Sequence, residues 1–148
     1  MTMQPPTERN ILVADDGSDS AAFALSHAVL AAGQHDSALT ILRVVLRNAG
    51  VAVMAGVVPG QLVSDLELEA EADLRRRIAR LPRGVRATTH MRHGYAAEEI
   101  LAELNEGDYD VVMLGSHGSG RSQQPLGTVA TRVLTASPVP VAVFHMRG

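Results

Sequence analysis

The chain has 148 residues, 46% hydrophobic and 20% charged, a globular composition that excludes an intrinsically disordered chain. A net charge of −3 and an aromatic set of two Tyr, two Phe and no Trp exclude an overall basic field for nucleic acid and stacking platforms for single strands. Cysteine and lysine are both missing and all thirteen basic residues are Arg, so disulfides, thiolate metal sites, Schiff bases and a P-loop lysine are excluded as well.

Residues 1–9 are polar and carry two prolines, without the apolar core of a secretory signal. No apolar stretch approaches the roughly 20 residues that span a bilayer. The reading is a cytoplasmic protein with no membrane attachment, one domain over 1–148, with 1–8 disordered ahead of the first strand. Residues 10–14 (Asn-Ile-Leu-Val-Ala) form a buried strand that stops at Asp15-Asp16-Gly17-Ser18. Ser18 or Asp19 caps a helix whose apolar positions are Ala22, Leu25, Ala28, Val29 and Ala32, with Gly33 as its stop. A second, β-branched strand covers 38–46, and a Gly- and Val-rich loop covers 47–60.

Over 61–81, Leu62, Leu66, Ala70, Leu74 and Ile78 repeat every four residues as one helical stripe. Glu71 with Arg75 and Asp73 with Arg77 are four apart on the other faces, a pattern read as solvated surface pairs. Pro82 and Gly84 end this helix. A half-polar third strand follows at 85–92, then a helix at 96–106 with Ile100, Leu101 and Leu104 inward, a strand at 110–114, a helix at 126–135 and a last strand at 138–144.

Strands that alternate with helices imply a parallel sheet with helices on both faces, a doubly wound α/β fold. Two strand orders are open, 2-1-3-4-5 and 3-2-1-4-5. The second sets Asp16 and Gly115 side by side at the carboxyl ends of neighbouring strands, where ligands bind in such sheets, and is favoured for that reason.

The segment Asp110-Val-Val-Met-Leu-Gly115-Ser-His-Gly118-Ser-Gly120-Arg-Ser-Gln-Gln-Pro-Leu-Gly127-Thr128 reads as strand, glycine-rich turn and helix start. Glycines admit a bulky anion close to the backbone, and helix-start N–H groups lack intrahelical partners. Residues 115–122 nearly spell a P-loop with Arg121 in the lysine place, but the lysine is the group that loop requires. His90 and His93 fall on opposite faces of a strand and do not make a metal pair. There is no Gly-x-Ser-x-Gly elbow, and Ser116 beside His117 is not a triad.

At Ile11-Leu-Val-Ala-Asp-Asp16-Gly17-Ser18, at Gly115-Ser-His-Gly118 through Gly127-Thr128, and at Val129-Ala-Thr-Arg-Val-Leu through Ser137-Pro138-Val139-Pro140-Val141, the chain resembles the universal stress protein family. The resemblance implies a Rossmann-like, nucleotide α-hydrolase-like sheet in the order 3-2-1-4-5, a homodimer paired through strand 139–144, and ATP or another adenine nucleotide with Mg²⁺ in the switch-point crevice. It assigns Asp16 to the ribose or to the nucleotide-bound Mg²⁺, Val44 to adenine with Ala14 and Asp15 nearby, and Gly115 and Gly118 to the phosphates by backbone. It assigns Gly127, Thr128 and Val129 as N–H and hydroxyl donors at the last helix's start. The family motif has nine residues between its second and third glycines; this chain has eight between Gly118 and Gly127. The expected function is an ATP-binding stress-response regulator with no catalytic residues, capable at most of slow hydrolysis or autophosphorylation. The alternative is a dimeric interaction module of the same fold that binds no nucleotide.

Overall fold

The computed structural model of the chain describes residues 10–45, 56, 59–117 and 126–146, with residues 59–64 described by backbone alone. Its elements are β1 (Asn10–Ala14), α1 (Asp19–His35), β2 (Ala38–Val45), α2 (Pro59–Ala79), β3 (Arg86–His93), α3 (Ala96–Glu106), β4 (Val111–Gly115), α4 (Thr128–Ala136) and β5 (Val141–Phe144). All pairings are parallel and the order is β3-β2-β1-β4-β5. The 3-2-1-4-5 doubly wound sheet is therefore observed. Its register sets Ala14 opposite Leu42 on one side and opposite Leu114 on the other.

Alternation along the strands splits the core in two. Ile11, Val13, Leu39 and Ile41 pack with Leu25, Ala28 and Ala32 of α1 and Leu74 of α2. Leu12, Leu42, Val112 and Leu114 pack with Ile100 and Leu104 of α3 and Ala130 and Val133 of α4. A strand buried on both faces has no polar side, which is why β1 is apolar from Ile11 to Ala14.

Ser18 is the N-cap of α1, its Oγ accepting from Ala21 N–H at 3.2 Å. Gly33 does not stop that helix. The helix runs on to His35 and turns at Asp36, whose φ of 50° is left-handed and whose N–H donates to Ala32 carbonyl. Asp is one of the few L-residues that tolerates this conformation, so it takes the glycine's expected role. The α2 stripe points inward at Ala70 and Leu74. Of the two charge pairs expected in solvent, Glu71–Arg75 is exposed, at 3.7 Å. Asp73 and Arg77 are not, because Arg43 of β2 reaches Asp73 beneath α2 and the buried Asp15 carboxylate faces Arg77, in one half-buried cluster. Leu126 and Thr135 frame the last helix as expected to within two residues, whereas β5 starts at Val141, after Pro138 and Pro140. Proline has no N–H to give a ladder. Residues 1–8, most of the loop expected at 47–60, and Gly118 lie outside the described residues.

Candidate functional site

The carboxyl ends of β1, β2 and β4 open into one crevice of about 160 Å³. Its floor is apolar: Ala14, Leu42, Val44 and Leu114, with Ile100 and Ala96 from α3 closing one flank. Val129 and Ala130 of α4 close the other, and Asp16, Ser116, His117, Gly127 and Thr128 bring polar groups to it. Of the residues expected at a nucleotide site, Ala14, Asp15, Asp16, Val44, Gly115, Gly127, Thr128 and Val129 all line this crevice. An apolar floor with a few convergent polar groups is the usual make-up of a small-molecule pocket.

The individual groups differ in what they have free. Asp16 is exposed, and its Oδ1 accepts from Ser18 N–H at 2.9 Å, leaving Oδ2 for a ligand. Gly17 takes φ +84°, a left-handed turn that steers the chain from β1 into α1. Asp15 also lines the crevice, but its fully buried carboxylate serves the other face of the sheet. Oδ1 accepts from Gly17 N–H at 2.9 Å and lies 3.6 Å from Arg43, while Oδ2 lies 2.8 Å from Arg77 Nε. The Arg77 contact is off the hydrogen-bond axis, so it is an ion pair by distance only. Arg43 in turn meets Asp73 at 2.5 Å, and this guanidinium holds the Asp73 carboxyl below the ordinary carboxylate value.

At the other rim, Gly127 is the N-cap of α4 and its N–H donates to Ser116 carbonyl at 2.7 Å. That donor is taken. The N–H groups of Thr128, Val129 and Ala130 open the helix and have no intrahelical acceptor, so they are the donors α4 offers to an anion. Gly115 owes its lack of a side chain to a neighbour: a Cβ there would lie 2.2 Å from Ser20 Oγ of α1.

A family model described as "Universal stress protein family" matches residues 8–145. The chain belongs to the universal stress protein family. Universal stress protein YxiE of Bacillus subtilis is 32% identical over 145 residues, covering 91% of this chain and 97% of that one. Universal stress protein Rv2319c of Mycobacterium tuberculosis is 35% identical over 128 residues, 84% of this chain and 44% of the relative. The chain thus spans less than half the length of the mycobacterial relatives it matches. Universal stress protein UspA from Lactobacillus plantarum superposes with a TM-score of 0.79 at 24% identity, covering 92% of this chain and 97% of that one. Two further structures of the same fold hold nucleotides. One is a universal stress protein in complex with cAMP (TM-score 0.60, 21% identity, 93% of this chain and 96% of that one). The other is a family protein from Arabidopsis thaliana with AMP bound (TM-score 0.63, 16% identity, 95% of this chain and 93% of that one).

In this member of the universal stress protein family, sequence reasoning missed two contributors, Ser20 and His145. Ser20 donates its hydroxyl to His117 carbonyl and so holds the crevice loop against α1. His145, just past β5, places Nδ1 2.9 Å from Ser116 Oγ, and His117 Nδ1 lies 3.0 Å from the same oxygen. Alternation carried the signal for His145, which sits two residues beyond Val143 on the crevice face. His90 and His93 pair with separate carboxylates, Glu103 and Glu67, as opposite strand faces require. Among the described residues no helix is long and apolar enough to cross a membrane.

Proposed function

We propose that the crevice holds an adenine nucleotide, with ATP and Mg²⁺ as its ligands, and that the protein is a cytoplasmic stress-response regulator. The observation that carries this reading is the convergence of two distant loops, 14–16 and 115–117, with the start of α4 on a single apolar-floored cleft. Val44 and Ala14 offer a surface for the base, Asp16 a free carboxylate oxygen for ribose or Mg²⁺, and α4 three N–H groups for phosphate. The AMP- and cAMP-bound relatives of the same fold support an adenine ligand. Pairing of two copies through 139–144 would cover the open edge of β5, a physical motive for a homodimer.

A second reading, an interaction module without nucleotide, is favoured by two observations. Gly127 N–H is already bonded to Ser116, and about 160 Å³ is below the roughly 300–1,000 Å³ of most whole-ligand pockets. Thermal melting separates the two. Mg-ATP at a hundred times its Kd adds about 2.7 kcal/mol, roughly 5–10 °C for a chain of this size. Asp16→Ala should melt close to the parent, since Asp16 is exposed, yet lose most of that rise. No rise in the parent at millimolar ATP favours the interaction module, and phosphate release above about 1 s⁻¹ would make the protein an enzyme.

A further inference from the structure

Ser116 is pinned by its own backbone. Its N–H donates to Phe144 carbonyl at the end of β5 at 2.9 Å, and its carbonyl accepts from Gly127 at the start of α4 at 2.7 Å. The side chain follows Leu114 on the crevice face and is buried, 1% exposed. Two imidazoles address its one hydroxyl, His117 Nδ1 at 3.0 Å and His145 Nδ1 at 2.9 Å, with ring centroids 5.9 Å apart.

A hydroxyl has one proton and two acceptor lone pairs. While the Ser116 proton goes to one imidazole, only the other can donate through Nδ1–H, and no hydroxyl proton is left for an anion. Protonate the accepting imidazole and both Nδ1–H groups donate to Oγ. The serine proton then turns outward, and the site has gained positive charge. Proton uptake converts a closed internal bridge into an anion receptor.

The surroundings suit that change. The β1–α1 loop contributes one carboxylate to the crevice, Asp16, since the Asp15 carboxylate is held by Arg43 and Arg77 on the opposite face. Helix α3 presents Ala96 and Ile100, and α4 presents uncharged residues with no acidic group in its first turn. From α1 come Ser20, engaged with His117 carbonyl, and His27, whose ring stacks on Phe144 at 4.7 Å.

We propose that Ser116, His117 and His145 form a proton-coupled receptor for the phosphate end of the bound nucleotide, so that nucleotide binding takes up a proton. This rests on the nucleotide reading above and adds a pH dependence to it. Imidazoles change charge between about pH 5 and 8, and a ligand that prefers the protonated form must bind more tightly as pH falls. A phosphate group loses charge over the same range, which alone would weaken binding to a fixed cationic site, so the two accounts differ in sign.

Isothermal titration calorimetry at pH 6 and pH 8, in buffers of different ionisation heat, tests the idea with Mg-ATP and with adenosine as probes. The expected result is ATP binding about tenfold tighter at pH 6 with net proton uptake, adenosine binding flat with pH, and His145→Gln reducing the ATP dependence to about twofold or less. ATP binding that is flat or weaker at pH 6 overturns the receptor and leaves the nucleotide reading standing. Absence of binding by both probes at both pH values overturns the nucleotide reading, and the receptor with it. Should His145→Gln fail to fold, ring ¹⁵N signals of the parent protein decide: under saturating ATP both Nδ1 atoms, of His117 and of His145, must carry a proton where in the free protein one of the two does not, and unchanged signals sink the proposal.

Discussion

Gly115 looks, in sequence, like a glycine placed for a phosphate. Its neighbour in space is Ser20, whose Oγ and carbonyl carbon would lie 2.2 and 2.7 Å from an added Cβ. The backbone carbon cannot swing aside as a side chain can, so β4 and α1 would have to part. Gly115→Ala should therefore cost about 1–3 kcal/mol, roughly 3–10 °C in Tm, with or without nucleotide. A differential scan of the ligand-free protein checks it; an unchanged Tm would return Gly115 to a purely ligand-facing role. The glycine was legible in the sequence and its reason was not, because the contact joins residues far apart along the chain. His145 was not singled out at all: strand alternation could have set it on the crevice face, two residues beyond Val143, but only the fold supplies Ser116 as its partner.

Helix α2 was legible as an element because its apolar stripe repeats every four residues. The fate of its charged face was not. An i,i+4 spacing says that Asp73 and Arg77 are neighbours; it cannot say that Arg43 rises from β2 to meet Asp73, or that Arg77 lies against the Asp15 carboxylate. The cluster ties β1, β2 and α2 together, with Asp15 fully buried and Arg43 10% exposed at the side chain. Asp15→Ala takes away the charge both guanidiniums face and leaves Arg43 paired with Asp73 alone. Removing one partner of a buried pair typically costs about 3–5 kcal/mol. Urea unfolding should show a loss of that size, and a loss below about 1 kcal/mol would make the cluster a surface feature. On the other side of the sheet, Arg92 of β3 gathers Glu99, Glu103 and Glu106 of α3. There burial and the Glu103 carboxylate push the Tyr109 phenol up to about 12.

For the whole molecule, the two networks set a common response to acid. Asp73 is held below its ordinary 3.8, chiefly by the Arg43 hydrogen bond. Glu103 lies below its ordinary 4.5: burial works to raise it and is outweighed by the Tyr109 hydroxyl, Arg92 and His90. Both carboxyls are thus more acidic folded than unfolded. Their contribution is intact above the unfolded values and is lost as pH falls through the lower folded ones. Denaturant midpoints should hold steady from neutral pH to about pH 5 and then drop toward pH 3, and Asp73→Asn with Glu103→Gln together should flatten the drop. An equally steep fall in that double variant would move the cause elsewhere. The sheet itself was the most legible feature, since alternating apolar runs and helical stripes specify parallel βα units. Its order was the harder inference, because 2-1-3-4-5 satisfies the same pattern; the observed pairing of β1 with β4 is what brings Asp16 and Ser116 to one cleft.

The peptide unit of Ser116 has one further meaning. Its amide hangs from the outermost strand and its carbonyl from the cap of the last helix, so two hydrogen bonds span the distance from cleft to sheet edge. A tug on that helix cap needs no long relay through the interior to be felt at the molecule's flank. Cleft and sheet edge meet at a single residue.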